Sequence, residues 1–102
     1  QPCRDVSVQD ALSYVGGYCV ANDISGRAWQ FEHFNGGQWV RSKSFDTFCP
    51  LGPGLVDAAT VGDPQRLQIK TWLNGEVVQD GSTSDMVFSV AEIVSFLSKG
   101  CT

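Results

Sequence analysis

Positive charge is scarce in this sequence and nowhere gathered. Seven Lys and Arg stand against eleven Asp and Glu, for a net charge of −4. That balance argues against a nucleic-acid surface, and no basic cluster or basic-aromatic stripe offsets it. No apolar run approaches the roughly 18 residues that cross a bilayer. The first residues, Gln1-Pro2-Cys3-Arg4-Asp5, lack a charged-then-apolar layout, so no signal or transit peptide is expected. Cys3, Cys19, Cys49 and Cys101 include no C-x-x-C pair, which argues against a zinc knuckle. An even count permits two disulfides. Cys19 and Cys49, however, lie in apolar runs like buried thiols, and the expectation is free cysteines in a reducing, intracellular compartment. The single histidine, His33, falls on an amphipathic stretch where such a residue is more often a bystander than a base. There is no internal repeat, low-complexity tract or linker.

What is present is enough for one small core: 102 residues, 42% hydrophobic and 18% charged. The organising stretch is Gly16 to Gln30, GGYCVANDISGRAWQ. It opens as an apolar strand-like run, Tyr18 to Ile24, and turns polar at Asn22, Asp23 and Ser25. Asp23 is an anomaly there, because an ionised carboxylate among apolar neighbours needs a partner. Further along comes a second polar knot, Arg41 to Thr47, which contains Lys43 and Asp46. Two such knots on neighbouring elements suggest one site. Taken alone, Asp23 reads as a cap on the helix that follows, and Lys43 as a solvated lysine.

Local signals then order the chain. Ser7-x-x-Asp10 resembles a capping box, and Val8, Ala11, Leu12 and Val15 give the helix after it an apolar face, ended by Gly16-Gly17. Arg27 to Phe34 has the spacing of one or two helical turns, closed by Asn35-Gly36-Gly37, with Arg27 and Gln30 on one face. Trp39 to Ser42 reads as a connector. Two prolines and two glycines make Cys49 to Gly54 rigid and turning, and Val56 to Pro64 reads as a polar loop. Leu67 to Asn74 alternates as a half-buried strand. Asn74-Gly75 predicts a hairpin whose return is Val77 to Gln79, followed by a polar turn over 80–85. Ser89-x-x-Glu92 opens a last helix, with Ile93, Val94, Phe96 and Leu97 facing inward and Gly100 at its cap. Trp29, Trp39 and Trp72 read as core or interface. The fold class is α+β, mostly β, with three or four short strands, three helices and a thin core.

Three blocks, VANDISGRAWQ, SKSFDTFCPLGP and LNGEVVQDGSTSDMVFSVAEIVSFLS, together resemble the fumarylacetoacetate hydrolase family in order and spacing. The nearest branch is that described as fumarylacetoacetate hydrolase domain-containing protein 2. The resemblance implies the central part of a mixed β-fold, so that residues 1–102 are expected to be a partial catalytic domain. It also implies a homodimer and a divalent cation, Mg2+ or alternatively Ca2+ or Mn2+. Three carboxylates hold that metal in the family. Two belong to an upstream Glu-x-Glu pair with no match here, and the third matches Asp23. Lys43 matches the lysine beside the metal, Thr47 a nearby position, Gln30 a substrate contact and Arg27 the arginine of the Asp23 motif. The family's upstream histidine-bearing lid and downstream Gly-Thr-Pro segment have no match. Gly26 and Ala28 stand where the family usually has Ala and Asp, and Phe34 where a hydrolase of the family has a substrate-binding tyrosine.

The chemistry implied is enolate chemistry on a small oxo- or dioxo-carboxylate, acylpyruvate-like or oxaloacetate-like: C–C hydrolysis, decarboxylation or tautomerisation. A cation and an ammonium at the developing enolate oxygen stabilise it more than the ground state. On this reading Asp23 is a metal ligand, Lys43 catalytic, and Arg27, Gln30 and Thr47 substrate-binding. Arg27 is as readily a structural partner of Asp23 or another carboxylate. The nearest branch implies a mitochondrial location, with the cytoplasm as the alternative. The rival reading of function is a noncatalytic remnant or interaction module that keeps the fold segment without a complete site, which an intact mass near 11.1 kDa would favour.

Overall fold

The computed structural model describes residues 2–32 and 37–102. His33, Phe34, Asn35 and Gly36, and the readings attached to them, lie outside the described residues. The chain divides into a central unit, Tyr18–Val56, and a flanking unit, residues 2–17 with 57–102. The architecture is α+β. Among the described residues four strands form two two-stranded sheets.

In the central unit, β1 (Gly17–Ala21) pairs with β2 (Leu51–Asp57). The expected strand is found, but it stops at Ala21 and is not buried: Val20 is 70% exposed. Asp23 therefore lies beyond the strand end, on a loop that Asn22 N–H fastens to the Pro50 carbonyl at 3.1 Å. The stretch expected to turn, Cys49 to Gly54, is largely extended: β2 runs through Gly52 and Pro53. A two-stranded sheet has only edges, where a proline that cannot donate to the ladder is tolerated. Cys19 and Cys49 are free thiols, as expected, yet exposed rather than buried.

Two short helices complete this unit. Ala28–Glu32 is a five-residue π-helix, where one or two ordinary turns were expected. The supposed connector after it is a single-turn helix, α1 (Trp39–Lys43), which places Lys43 at a helix end. One turn has no stability of its own. It is held by packing on the π-helix and by Gly26 N–H, which donates to the Ser42 carbonyl at 2.8 Å.

In the flanking unit Ser7 and Asp10 form one arm of the expected box, Asp10 N–H donating to Ser7 Oγ at 3.2 Å, and the Ser7 hydroxyl donates to the Asp10 carboxylate at 2.7 Å, which makes a turn. The helix after it is a 3-10 segment, Ala11–Tyr14, with only Ala11 fully buried. The expected polar loop contains α2 (Ala58–Val61), capped by the Asp57 carboxylate accepting from Ala59 N–H at 2.8 Å. The hairpin appears where it was read, with Asn74 at φ 51° and Gly75 at φ 87° in the turn of antiparallel β3 (Gln68–Leu73) and β4 (Glu76–Ser82), but β3 is mostly exposed rather than half-buried, and β4 runs through the first part of the expected turn. Both angles are left-handed, which Asn and Gly adopt most readily. The polar turn after it is a 3-10 segment, Thr83–Asp85. Buried Thr83 receives Leu67 N–H on its hydroxyl and the Gln65 side chain on its carbonyl, both at 2.9 Å.

The last helix, α3 (Val90–Leu97), has the full capping box: Glu92 N–H donates to Ser89 Oγ, and Ser89 N–H to the Glu92 carboxylate at 2.7 Å. Those bonds, the Ser89 backbone foremost, hold the Glu92 carboxyl below its usual range. The face that α3 buries is the small one: Ser95 and Ser98 hydrogen-bond the backbone of Val6. The apolar face expected to point inward does not. Phe96 and Leu97 are 71% and 62% exposed and, with Val8, Phe88 and Ile93, line an open groove of about 490 Å³. Val6, Ala11 and Pro64 are the buried apolar side chains among the described residues, so the core is thin, as expected. No helix among the described residues is long and apolar enough to cross a membrane.

Candidate active site

The site lies within the central unit and starts from the loop after β1. Asp23 is no buried anomaly; its side chain is 67% exposed. Its partner is Lys43, whose ammonium donates to Asp23 Oδ2 and, at 3.1 Å, to Ser25 Oγ. Ser25 in turn donates to the Asp23 carbonyl at 3.1 Å, so one short loop supplies both acceptors around the ammonium. The two polar knots of the sequence are thus one cluster, joined across twenty residues. Ser25 stood inside the first knot without a role, and nothing in the sequence spacing distinguishes it from Asn22. The helix-cap reading of Asp23 does not hold, since its carboxylate is engaged by Lys43 instead.

The second feature is Gln30 on the π-helix, 1% exposed. Arg27 donates from Nη1 to Gln30 Oε1, as their shared face suggested, and does not pair with Asp23. A guanidinium can only donate, so this bond fixes the orientation of the amide. Gln30 Nε2 is left buried with no hydrogen-bond partner among the described residues. A buried donor without a partner costs about 1–3 kcal/mol, and such groups are uncommon enough to need a reason. Arg27 itself is exposed and lies 5.7 Å from the centre of the Phe31 ring.

Around these groups sit aromatic rings. Arg41 stacks on both Phe45, at 4.4 Å, and Trp29, at 5.3 Å. A Cβ on Gly26 would meet the Phe45 ring at 3.3 Å, so glycine here lets the loop seat closely on α1. Ser42, fully buried, donates from its hydroxyl to the Trp39 carbonyl at 2.8 Å. Thr47 is not brought into the cluster by any hydrogen bond among the described residues. Its φ of 69° is unusual for a β-branched residue.

For a metal, the donor set has the right character and too few members. Asp23 presents a hard, accessible oxygen donor of the kind Mg2+ or Mn2+ takes, whereas such ions gather about six oxygens. No group of three or more His, Cys, Asp or Glu able to hold a metal occurs among the described residues. Asp23 fits as one ligand; the remainder would come from outside this segment.

The fumarylacetoacetate (FAA) hydrolase C-terminal family matches residues 1–102. A candidate hydrolase of Burkholderia cenocepacia is 52% identical over 96 residues, covering 94% of this chain and 33% of its own length. Among solved structures, 2-hydroxyhepta-2,4-diene-1,7-dioate isomerase from Mycobacterium marinum superposes with a TM-score of 0.85 at 42% identity, over 96% of this chain and 36% of that one. Fumarylpyruvate hydrolase from Pseudomonas aeruginosa, solved in complex with Mn2+ and pyruvate, gives 0.83 at 35% identity, over 94% and 41%. The chain spans about a third of the length of the relatives it matches most fully. Its α+β segment has the fumarylacetoacetate hydrolase-like fold, and its relatives include hydrolases and isomerases of oxo-carboxylates. The chain belongs to the fumarylacetoacetate hydrolase family.

Proposed function

We propose that the whole protein is a divalent-metal-dependent enzyme acting on a small oxo- or dioxo-carboxylate, acylpyruvate-like or oxaloacetate-like, through an enolate. The reaction is C–C hydrolysis, decarboxylation or keto–enol tautomerisation. The observation that carries this reading is the Asp23–Lys43–Ser25 cluster, an ammonium held by a loop that also offers a hard carboxylate. A relative that binds Mn2+ and pyruvate supports it.

Asp23 would be the ligand that this segment gives to Mg2+, or to Mn2+ or Ca2+. When bound, such a cation supplies Lewis acidity toward adjacent oxo and carboxylate oxygens. Lys43 donates a hydrogen bond to the oxygen on which enolate charge develops, with Ser25 keeping the ammonium directed. Its charge is worth most there because the interaction strengthens as negative charge builds. Gln30 donates its spare Nε2 proton to a substrate oxygen, and Arg27 holds the amide in the orientation that makes this available. Thr47 stays the weakest of the substrate-contact assignments, lacking a hydrogen bond to the cluster.

On the same sequence blocks we place the protein nearest the domain-containing protein 2 branch, as an intracellular homodimer of the mitochondrion or cytoplasm with its cysteines free. Titrating Mg2+ and Mn2+ into the whole protein and its Asp23→Ala variant tests the site calorimetrically. The expected result is a loss of affinity of at least tenfold. Equal affinity in the two proteins removes Asp23 from the metal and the reading with it.

A further inference from the structure

Lys43 ends a helix of one turn, and a single turn does not hold its own shape. What fixes it is unusual. The residues two before and two after Lys43 grip each other: the Arg41 guanidinium lies 4.4 Å from the centre of the Phe45 ring. The same guanidinium lies 5.3 Å from the ring of Trp29, next to Gln30, and the Trp29 and Phe45 rings meet edge-on at 6.0 Å. From the other side the Ser42 carbonyl accepts Gly26 N–H at 2.8 Å, and Gly26 O accepts the backbone N–H of Gln30 at 3.2 Å. Lys43 is thus bracketed, and the bracket is tied to the π-helix that carries Gln30.

A guanidinium suits this place because its flat face stacks on rings. Arg41 also forms no salt bridge among the described residues, where its guanidinium meets the two rings. We infer that Arg41 is a positioning residue: stacked on Trp29 and Phe45, it sets where the Lys43 ammonium points relative to Gln30. This rests on the reading of Lys43 given above and deepens it. Removing the charge while keeping the length loosens the bracket and lets the ammonium leave the Asp23–Ser25 pocket without touching the groups that meet substrate.

The test uses the whole protein with Mn2+ and whichever of oxaloacetate or fumarylpyruvate it turns over. Arg41→Met is expected to lower kcat about tenfold with KM changed less than twofold, and Arg41→Lys to recover part of that loss. In a Lys43→Met background, Arg41→Met should add nothing, since it acts through the missing amine. A second measurement needs no turnover. Acetylation of Lys43 by an amine-reactive ester, followed by mass spectrometry, should run several-fold faster in Arg41→Met than in the wild type. Unchanged kcat with unchanged labelling overturns the inference, as does a loss of the same size in the Lys43→Met background. The two readings fail separately. Full turnover by Lys43→Met removes the role of Lys43 and this inference together, whereas an inactive Lys43→Met beside a normal Arg41→Met removes only this inference.

Discussion

Replacing Gln30 with leucine separates what the fold wants from what the site wants. In the structure the Gln30 side chain is buried, its Oε1 taken by Arg27 and its Nε2 unpartnered among the described residues. Gln30→Leu discards one hydrogen bond, worth about 1 kcal/mol net because exposed Arg27 regains water. It also removes a buried donor without a partner, a gain of about 1–3 kcal/mol. The two nearly cancel or favour leucine, so the variant should lie between no change and about 2 kcal/mol more stable than the wild type. Thermal unfolding of the whole protein in the absence of oxo acid reads this as a midpoint equal to or a few degrees above wild type, at about 2–4 °C per kcal/mol for a domain of 150–250 residues. The same variant should bind pyruvate about tenfold to a hundredfold more weakly in a titration with Mn2+, the value of a hydrogen bond to a charged ligand. A variant that unfolds several degrees early shows that the amide nitrogen has a structural partner. A variant that binds pyruvate normally shows that it does not meet substrate. Either outcome refutes the argument from the unpaired donor.

Other expected outcomes follow from single observations. Lys43→Met should cut kcat by about two orders of magnitude, in line with removal of one preorganised donor at an oxyanion, while leaving Mg2+ affinity within twofold by calorimetry. Ser89→Ala removes the reciprocal cap of α3 and should cost about 1 kcal/mol in urea unfolding at pH 7. Because the Ser89 bonds lower the Glu92 carboxyl, their contribution is complete above the ordinary glutamate value, about 4.3, and fades as pH falls through the lowered folded value. Ser89→Ala keeps the larger, backbone bond and loses the hydroxyl bond, so the gap between wild type and variant should narrow only slightly when unfolding is repeated at pH 3. Gly75→Ala forces a Cβ into the left-handed turn at φ 87° and should cost about 1–2 kcal/mol, whereas Gly16→Ala, with open space around it, should cost far less in the same assay.

Sequence alone determined the features whose causes lie within a few residues. The Asn74-Gly75 hairpin needs two adjacent residues that tolerate positive φ, and the Ser89–Glu92 box needs two side chains three apart, so both were legible and both are present. The shared face of Arg27 and Gln30 is equally local. Short elements escaped because they carry too few residues for a period: α1 and α2, of five and four residues, read as connector and loop. Burial escaped for a different reason. It is set by what packs on a face, so the apolar side of α3 and the strand at Val20, inward by pattern, stand exposed within this segment. The site divides the same way. Resemblance to the family named Asp23, Lys43, Arg27, Gln30 and Thr47, but only the folded chain brought Lys43 to Asp23 and Ser25, buried the Gln30 amide with a spare donor, and set Arg41 against two rings. Contacts between residues twenty positions apart are fixed by how loops and helices seat on one another, which is information that a linear pattern does not hold.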